Sequence, residues 1–309
     1  MPPHSPSPAL ILTGFGDIAA RIAHRHPLHR IYALARRPAP RPHNHSGAWH
    51  GILYDLDTPT ALPELPAHAI WLYLAPPPNT GETDTRVAHW LTAAGQLPRA
   101  VIYASTTGVY GDHQGGWVNE ATPARPAHDR ARRRLNAEHQ FTQWCAARAI
   151  PLSILRITGI YAADRLPIAR IKARTPVVCL EQSPWSNRIH ADDLAEIYAA
   201  LIRRIEASTP VTGIYNVSDN TPRPMTELYL ATAAHFGLHA PPCLPLSEVL
   251  AQSTAMAREF LTESKRIDAS AIQRALNWQP SYPNLASTLA DTPANIPREH
   301  GAPTKNVTK

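Results

Sequence analysis

Ala9-Leu10-Ile11-Leu12-Thr13-Gly14-Phe15-Gly16-Asp17-Ile18-Ala19 is the stretch whose reading decides the fold. Its first four residues are apolar without alternation, as in a strand buried on both faces. A glycine turn follows, and then a helical pattern running from about residue 17 to 25. Gly14 permits the tight turn, Gly16 lets backbone come close to a ligand, and Ala19 is small enough for helix to pack on strand. A turn of this kind places backbone N–H groups at a helix N-terminus, where a dinucleotide's pyrophosphate can rest. Gly14, Phe15, Gly16, Asp17 and Ile18 are therefore expected to bind such a cofactor.

Working outward, apolar runs recur at 31–35, 52–54, 70–75, 100–104 and 152–157, with helical stretches at 83–94 and 126–149. Strands without polar alternation, separated by helices, predict an α/β protein with a Rossmann-type, doubly wound parallel sheet. The second half is more broken, with helices near 192–204, 225–236 and 269–276 and a strand at 213–217. It reads as a smaller substrate lobe at the carboxyl ends of the strands. The expected layout is a tail at 1–8, a dinucleotide-binding core at 9–160, a mixed region at 161–294 contributing late core elements and the lobe, and a tail at 295–309.

The chain has 309 residues and a formal net charge of +6, with the basic excess spread along its length. That distribution bears on solubility more than on nucleic acid, and the run Arg130-Ala131-Arg132-Arg133-Arg134 has no aromatic platform beside it. It reads as a helix face with some solvated arginines. The longest apolar run, 69–75, is too short for a membrane span, and the opening residues lack a signal peptide's pattern. Cys145, Cys179 and Cys243 are far apart and form no C-x-x-C pair, which predicts neither a disulfide framework nor zinc and suits a reducing cytoplasm. His43, His45 and His50 lie in a proline-rich stretch without Cys or carboxylate partners and read as loop histidines rather than metal ligands.

The second strand bears on the cofactor. NAD enzymes usually end it with an acid that bonds the ribose 2′-hydroxyl. Here it ends Leu34-Ala35-Arg36-Arg37, with no acid before Asp55. Arg36 is suited to a 2′-phosphate, so NADP is favoured, with NAD left open.

Later motifs add a resemblance. Val101-Ile102-Tyr103-Ala104-Ser105-Thr106-Thr107-Gly108-Val109-Tyr110-Gly111, Leu155-Arg156-Ile157-Thr158-Gly159-Ile160-Tyr161, Asn187-Arg188-Ile189-His190-Ala191-Asp192-Asp193-Leu194-Ala195, Ile214-Tyr215-Asn216-Val217-Ser218-Asp219 and Ser264-Lys265-Arg266 occur in order. Together they resemble the atypical branch of the extended short-chain dehydrogenases/reductases, the NAD(P)-dependent epimerase/dehydratase-like family, over residues 9–289. The resemblance implies that Thr106 polarises a substrate oxygen, that Asp55, Leu56 and Ala75 help hold the cofactor, and that Asn187 and Arg188 line the substrate crevice. It also implies a Tyr that passes a proton and, four residues on, a Lys that lowers its pKa. Alignment on Glu138 puts Arg130 and Arg134 at those places, and the first 171 residues contain no lysine. Guanidinium stays protonated, so neither arginine replaces the Tyr, although Arg134 is suited to bond ribose hydroxyls or phosphate. Tyr110, Tyr161, His128 and His190 are the alternative proton donors. The resulting expectation is an NAD(P)-dependent oxidoreductase or epimerase-like enzyme, monomeric or homodimeric. It would act on a small polar carbonyl or alcohol, such as a sugar nucleotide. The alternative is a non-catalytic NADP(H) sensor.

Overall fold

The computed structural model describes residues 7–58 and 61–294. The two tails expected at the chain ends lie almost entirely outside these residues.

Seven parallel strands form the central sheet: β1 (Leu10–Thr13), β2 (Ile31–Ala35), β3 (Trp49–Leu53), β4 (Ile70–Tyr73), β5 (Ala100–Thr106), β6 (Leu152–Ile157) and β7 (Gly213–Val217). Their spatial order is β7-β6-β5-β4-β1-β2-β3, every neighbouring pair parallel. This is the doubly wound architecture expected from the apolar runs. The order reverses at β1, and such a switch point opens a ligand crevice at the carboxyl ends of the strands.

Alternate residues of each strand serve opposite faces. Leu10, Leu12, Ile31, Ala33, Ile70 and Leu72 pack with Ile22 of α1 (Asp17–Arg25) and Leu194, Ile197 and Leu201 of α4 (Ala191–Glu206). Ile11, Trp71, Tyr73, Val101 and Tyr103 pack with Val87 and Trp90 of α2 (Thr85–Ala93) and Phe141 of α3 (Asp129–Ala146). Both faces are covered, so the strands need no polar alternation. Trp144 of α3 stacks on Trp71 at 5.5 Å, a core contact.

Inside this frame lies a buried polar cluster. Glu138 of α3 pairs with Arg156 of β6 at 2.7 Å, accepts from Ser105 Oγ at 2.5 Å, and the Arg156 guanidinium lies 4.7 Å over the Tyr110 ring. It pins α3 to the ends of β5 and β6, next to Thr106.

The second half supplies both core and lobe elements. Residues 213–217 form β7, the edge strand of the main sheet, and α4 packs on the sheet as well. The smaller lobe includes α5 (Met225–His235), α6 (Ala255–Leu261) and short strand pairs. The expectation of three unpaired cysteines is corrected. Two-residue strands Val177–Val178 and Cys243–Leu244 lie parallel, and Cys179 and Cys243 are joined as a disulfide with Cα atoms 4.7 Å apart. Sixty-four residues separate the two in sequence, a span over which spacing says nothing about pairing. Cys145 remains free and buried. The cysteine argument for a reducing compartment therefore falls. Among the described residues, no helix is long and apolar enough to cross a membrane.

Candidate functional site

A cavity of about 520 Å³ opens where β1, β2 and β4 end and α1 begins. Gly14, Phe15, Gly16, Arg36, Asp55, Leu56 and Ala75 line it. Seven of the nine residues expected at the cofactor therefore meet in one place. Asp17 and Ile18 do not line it. The Asp17 carboxylate instead pairs with Arg21 at 3.1 Å and Arg165 at 2.7 Å.

The turn has the geometry its glycines suggest. Gly14 has φ +89°, and a Cβ there would sit 2.6 Å from Ala75 backbone, so any side chain would collide with the start of the next loop. The N–H groups of Gly14 and Phe15 both donate to Leu34 O, tying the turn to β2. Gly16 is the N-cap of α1 and offers no side-chain cap, while a Cβ on it would meet nothing within 4 Å. Uncapped N–H groups beside open space suit a pyrophosphate, so the residues present fit a dinucleotide.

Arg37 and Arg86 also line the cavity, and the sequence reading passed over both. Arg37 was visible as the neighbour of Arg36. Arg86 gave no signal, since its role arises from folding: it grips Asp57 through two bonds of 2.5 and 2.6 Å and donates to Pro76 O at 2.8 Å. This holds the two loops that form the cavity's far wall. The charge-assisted pair holds the Asp57 carboxyl below the usual range.

A second cavity, of about 430 Å³, contains Thr106, His128, Arg130, Asn187, Glu263 and Lys265 among its walls. Thr106 ends β5, and its Oγ1 accepts from Gly108 N at 3.3 Å, which leaves the hydroxyl proton free to donate. Arg130 lies 4.9 Å over Phe260 and 4.0 Å from Glu259, so α6 leans on it. Arg134 does not line this cavity. Its Nη1 donates to Ala75 O, Tyr103 Oη and Ala104 O at 3.3, 3.2 and 2.8 Å, so it fastens the ends of β4 and β5. Arg133 is buried, donating to Gly81 O, and Arg132 pairs with Asp129 at 2.5 Å. The basic run is thus more engaged in local structure than a solvated face would be.

Asn187 is held by β-type pairing of its amide, donating to Lys265 O at 2.9 Å and accepting from Ile267 N at 2.8 Å. Arg188 is 9% exposed, and its guanidinium donates to Met225 O at 3.4 Å. No carboxylate pairs with it among the described residues, and burial lowers its pKa. It faces a third cavity of about 310 Å³, largely apolar, walled by Val177, Val178, Val249 and Leu261. The second and third cavities share Gly159, Ile160, Arg165, Ser186, Met225 and Phe260.

The four alternative proton donors separate clearly. Tyr110 Oη donates to Asn216 Oδ1 at 2.8 Å, with burial raising its pKa. Tyr161 is buried, its hydroxyl 3.5 Å from Tyr282 O and its pKa pushed up by burial. His190 caps α4, its Nδ1 accepting from Asp192 N at 3.2 Å, and stacks on Tyr282 at 3.8 Å. His128 alone of the four lines the Thr106 cavity.

A doubly wound sheet with a glycine turn at its switch point defines a dinucleotide-binding protein, and sequence comparison makes the class narrower. A family model of the NAD dependent epimerase/dehydratase family matches residues 79–218. A functionally unknown conserved protein from Silicibacter pomeroyi DSS is 30% identical, with 92% of this chain and 97% of that one covered at a TM-score of 0.76. The chain belongs to the NAD-dependent epimerase/dehydratase family, whose members bind NAD(P). Two more distant structures share the fold. UDP-N-acetylglucosamine 4-epimerase from Bacillus cereus is 15% identical (92% and 97% covered, TM-score 0.64). Human epimerase family protein SDR39U1 with NADPH is 17% identical (93% and 100% covered, TM-score 0.64). Comparison with curated proteins gives no match.

Proposed function

We propose that this protein is an NADP(H)-dependent oxidoreductase or epimerase-like enzyme acting on a small polar carbonyl or alcohol. The observation that carries the reading is the Thr106 hydroxyl, free to donate, at the end of β5, the strand paired with β4, after which Ala75 borders the cavity that fits a dinucleotide. The N–H groups opening α1, including those of Asp17 and Ile18, would hold the pyrophosphate, and Arg36 with Arg37 would hold a 2′-phosphate. Asp55 and Leu56 would border the adenine side, and Ala75 the passage towards the substrate. When bound, the dinucleotide supplies a hydride donor or acceptor. Thr106 would polarise the substrate oxygen, and Arg134 would keep the β4 and β5 ends in place around it. Arg188 is a buried cation with no carboxylate in ion-pair contact among the described residues, the charges of Asp219 and Glu227 acting on it from further off, and this favours a substrate carrying a phosphate or carboxylate. Human SDR39U1, which shares the fold, is in complex with NADPH, and this supports the cofactor assignment.

The test is a panel of aldehydes, ketones and nucleotide sugars with NADPH, followed by loss of nicotinamide absorbance. Turnover that Thr106→Ala lowers is the expected result. NADPH binding without turnover of any compound would favour the second reading, a non-catalytic sensor. That reading draws on the engagement of Arg134 by three acceptors where the family's lysine would stand.

A further inference from the structure

We infer that His128, positioned by Glu263, is the proton carrier of this site, taking over the task of the absent tyrosine. The inference rests on the enzymatic reading above and adds the residue that completes its chemistry.

Three observations converge. First, His128 is the N-cap residue of α3 yet makes no capping hydrogen bond, so its ring is not engaged by the helix it precedes. His190, the N-cap of α4, shows the contrast, since its Nδ1 is occupied by a backbone N–H. Second, His128 Nε2 lies 3.7 Å from Glu263 Oε1. The other carboxylate oxygen, Oε2, accepts from Lys265 Nζ at 2.6 Å, and Nζ also donates to Gly111 O at 2.8 Å. The side chains of Glu263 and Lys265 are 14% and 8% exposed, so the carboxylate is held in place on the cavity wall. Third, Thr106, His128, Glu263 and Lys265 line one cavity. An imidazole 3.7 Å from a fixed carboxylate, in one cavity with a hydroxyl placed to polarise the reacting oxygen, has the parts of a general acid–base arrangement. Lysine, absent from the first 171 residues, enters the crevice here from the far end of the chain.

In the reducing direction the carbonyl carbon accepts a hydride from the reduced nicotinamide dinucleotide, and the C=O π pair moves onto oxygen. That oxygen, hydrogen-bonded by Thr106, takes the proton from Nδ1 of the His128 imidazolium, giving an alcohol and a neutral imidazole. Glu263 lies on the Nε2 side of the ring, which leaves Nδ1 for the substrate. Oxidation runs the same step in reverse. The charged groups sharing the cavity with His128 are Arg130 of α3, Arg165, Glu259 of α6, Glu263 and Lys265. Their mixture of signs leaves Glu263 as the carboxylate that faces the ring.

The test uses the full chain with NADPH and p-nitrobenzaldehyde or whichever compound of the panel turns over fastest. His128→Ala should lower kcat about 10²-fold or more, and added imidazole should restore part of it. Glu263→Gln should lower kcat about 10-fold with KM within about 2-fold of wild type, the mark of a residue that acts in the chemical step. Both variants should bind NADPH as the wild type does, which separates the effect from misfolding. Turnover by His128→Ala within about 3-fold of wild type would overturn the proposal and leave the enzymatic reading standing. So would a fall in kcat that imidazole does not relieve, or a loss in Glu263→Gln that falls on KM instead of kcat. No turnover of any carbonyl by wild type that binds NADPH would overturn both.

Discussion

At Thr106 the account turns on a single hydroxyl. Its oxygen accepts one backbone N–H and its proton is uncommitted, so it can donate to a substrate oxygen without breaking a bond to the protein. Thr106→Ala should therefore reduce kcat about 10²-fold while leaving the NADPH affinity within about 2-fold, measured by steady-state kinetics and fluorescence titration. An equal loss in both would place Thr106 in folding rather than in chemistry. Asp219 offers a different residue-scale effect. Burial pushes its pKa up to about 7, although Thr221 N donates to it. The folded chain then keeps a proton on Asp219 between about pH 4 and 7 that the unfolded chain has released, so its contribution to stability falls as pH rises through that window and is lost above it. Asp219→Asn should gain stability relative to wild type on going from pH 4 to pH 8, on the order of a few kcal/mol, read from denaturation midpoints at the two pH values. A gain that is the same at both would show that the carboxyl titrates normally.

At the scale of elements, the β1–turn–α1 unit carries the most information per residue. Gly14 cannot take a Cβ, since its φ is +89° and Ala75 backbone stands 2.6 Å from where the Cβ would be. Gly14→Ala should destabilise the protein by about 1–3 kcal/mol and abolish dinucleotide binding, checked by thermal melts with and without NADPH. This unit was legible in the sequence because its signals are local: an apolar strand, two glycines and a small residue within eleven positions. The six strands expected in the first half appear in the sheet for the same reason, although the third runs Trp49–Leu53, a few residues earlier than read. It is an edge strand with exposed residues, and so lacks the continuous apolar run that marks the central ones. What was not legible depends on long-range contact. Arg86 joins the cofactor cavity by gripping Asp57, and Glu263 reaches the crevice across more than a hundred residues from Thr106. Arg86 has no neighbouring pattern that would announce it, and the Ser264-Lys265-Arg266 motif beside Glu263 does not say which wall of the crevice that carboxylate joins.

Across the whole molecule, the second half does two jobs that sequence order does not separate. α4 and β7 complete the core, and the segments after β7 build a lobe whose α6 lies over the crevice through Phe260 on Arg130. The expected mixed region at 161–294 allows for late core elements without saying which they are, because a chain that leaves the sheet and returns shows no change in composition when it does so. The Cys179–Cys243 disulfide is another product of that return path, tying two strands of the lobe that are remote in sequence. The cavity at the switch point, by contrast, follows from the strand order itself, and it gathers Gly14, Gly16, Arg36 and Ala75 from three separate strand ends.

The most direct measurement is a titration of the purified protein with NADPH, NADH, NADP⁺ and NAD⁺ by nicotinamide and tryptophan fluorescence, repeated on Arg36→Asp. The account predicts that NADPH binds more tightly than NADH, and that Arg36→Asp weakens NADPH at least 10-fold with little effect on NADH, since a carboxylate there repels a 2′-phosphate. Equal binding of NADPH and NADH would contradict the role given to Arg36. Binding of none of the four would contradict the cofactor site and the function built upon it.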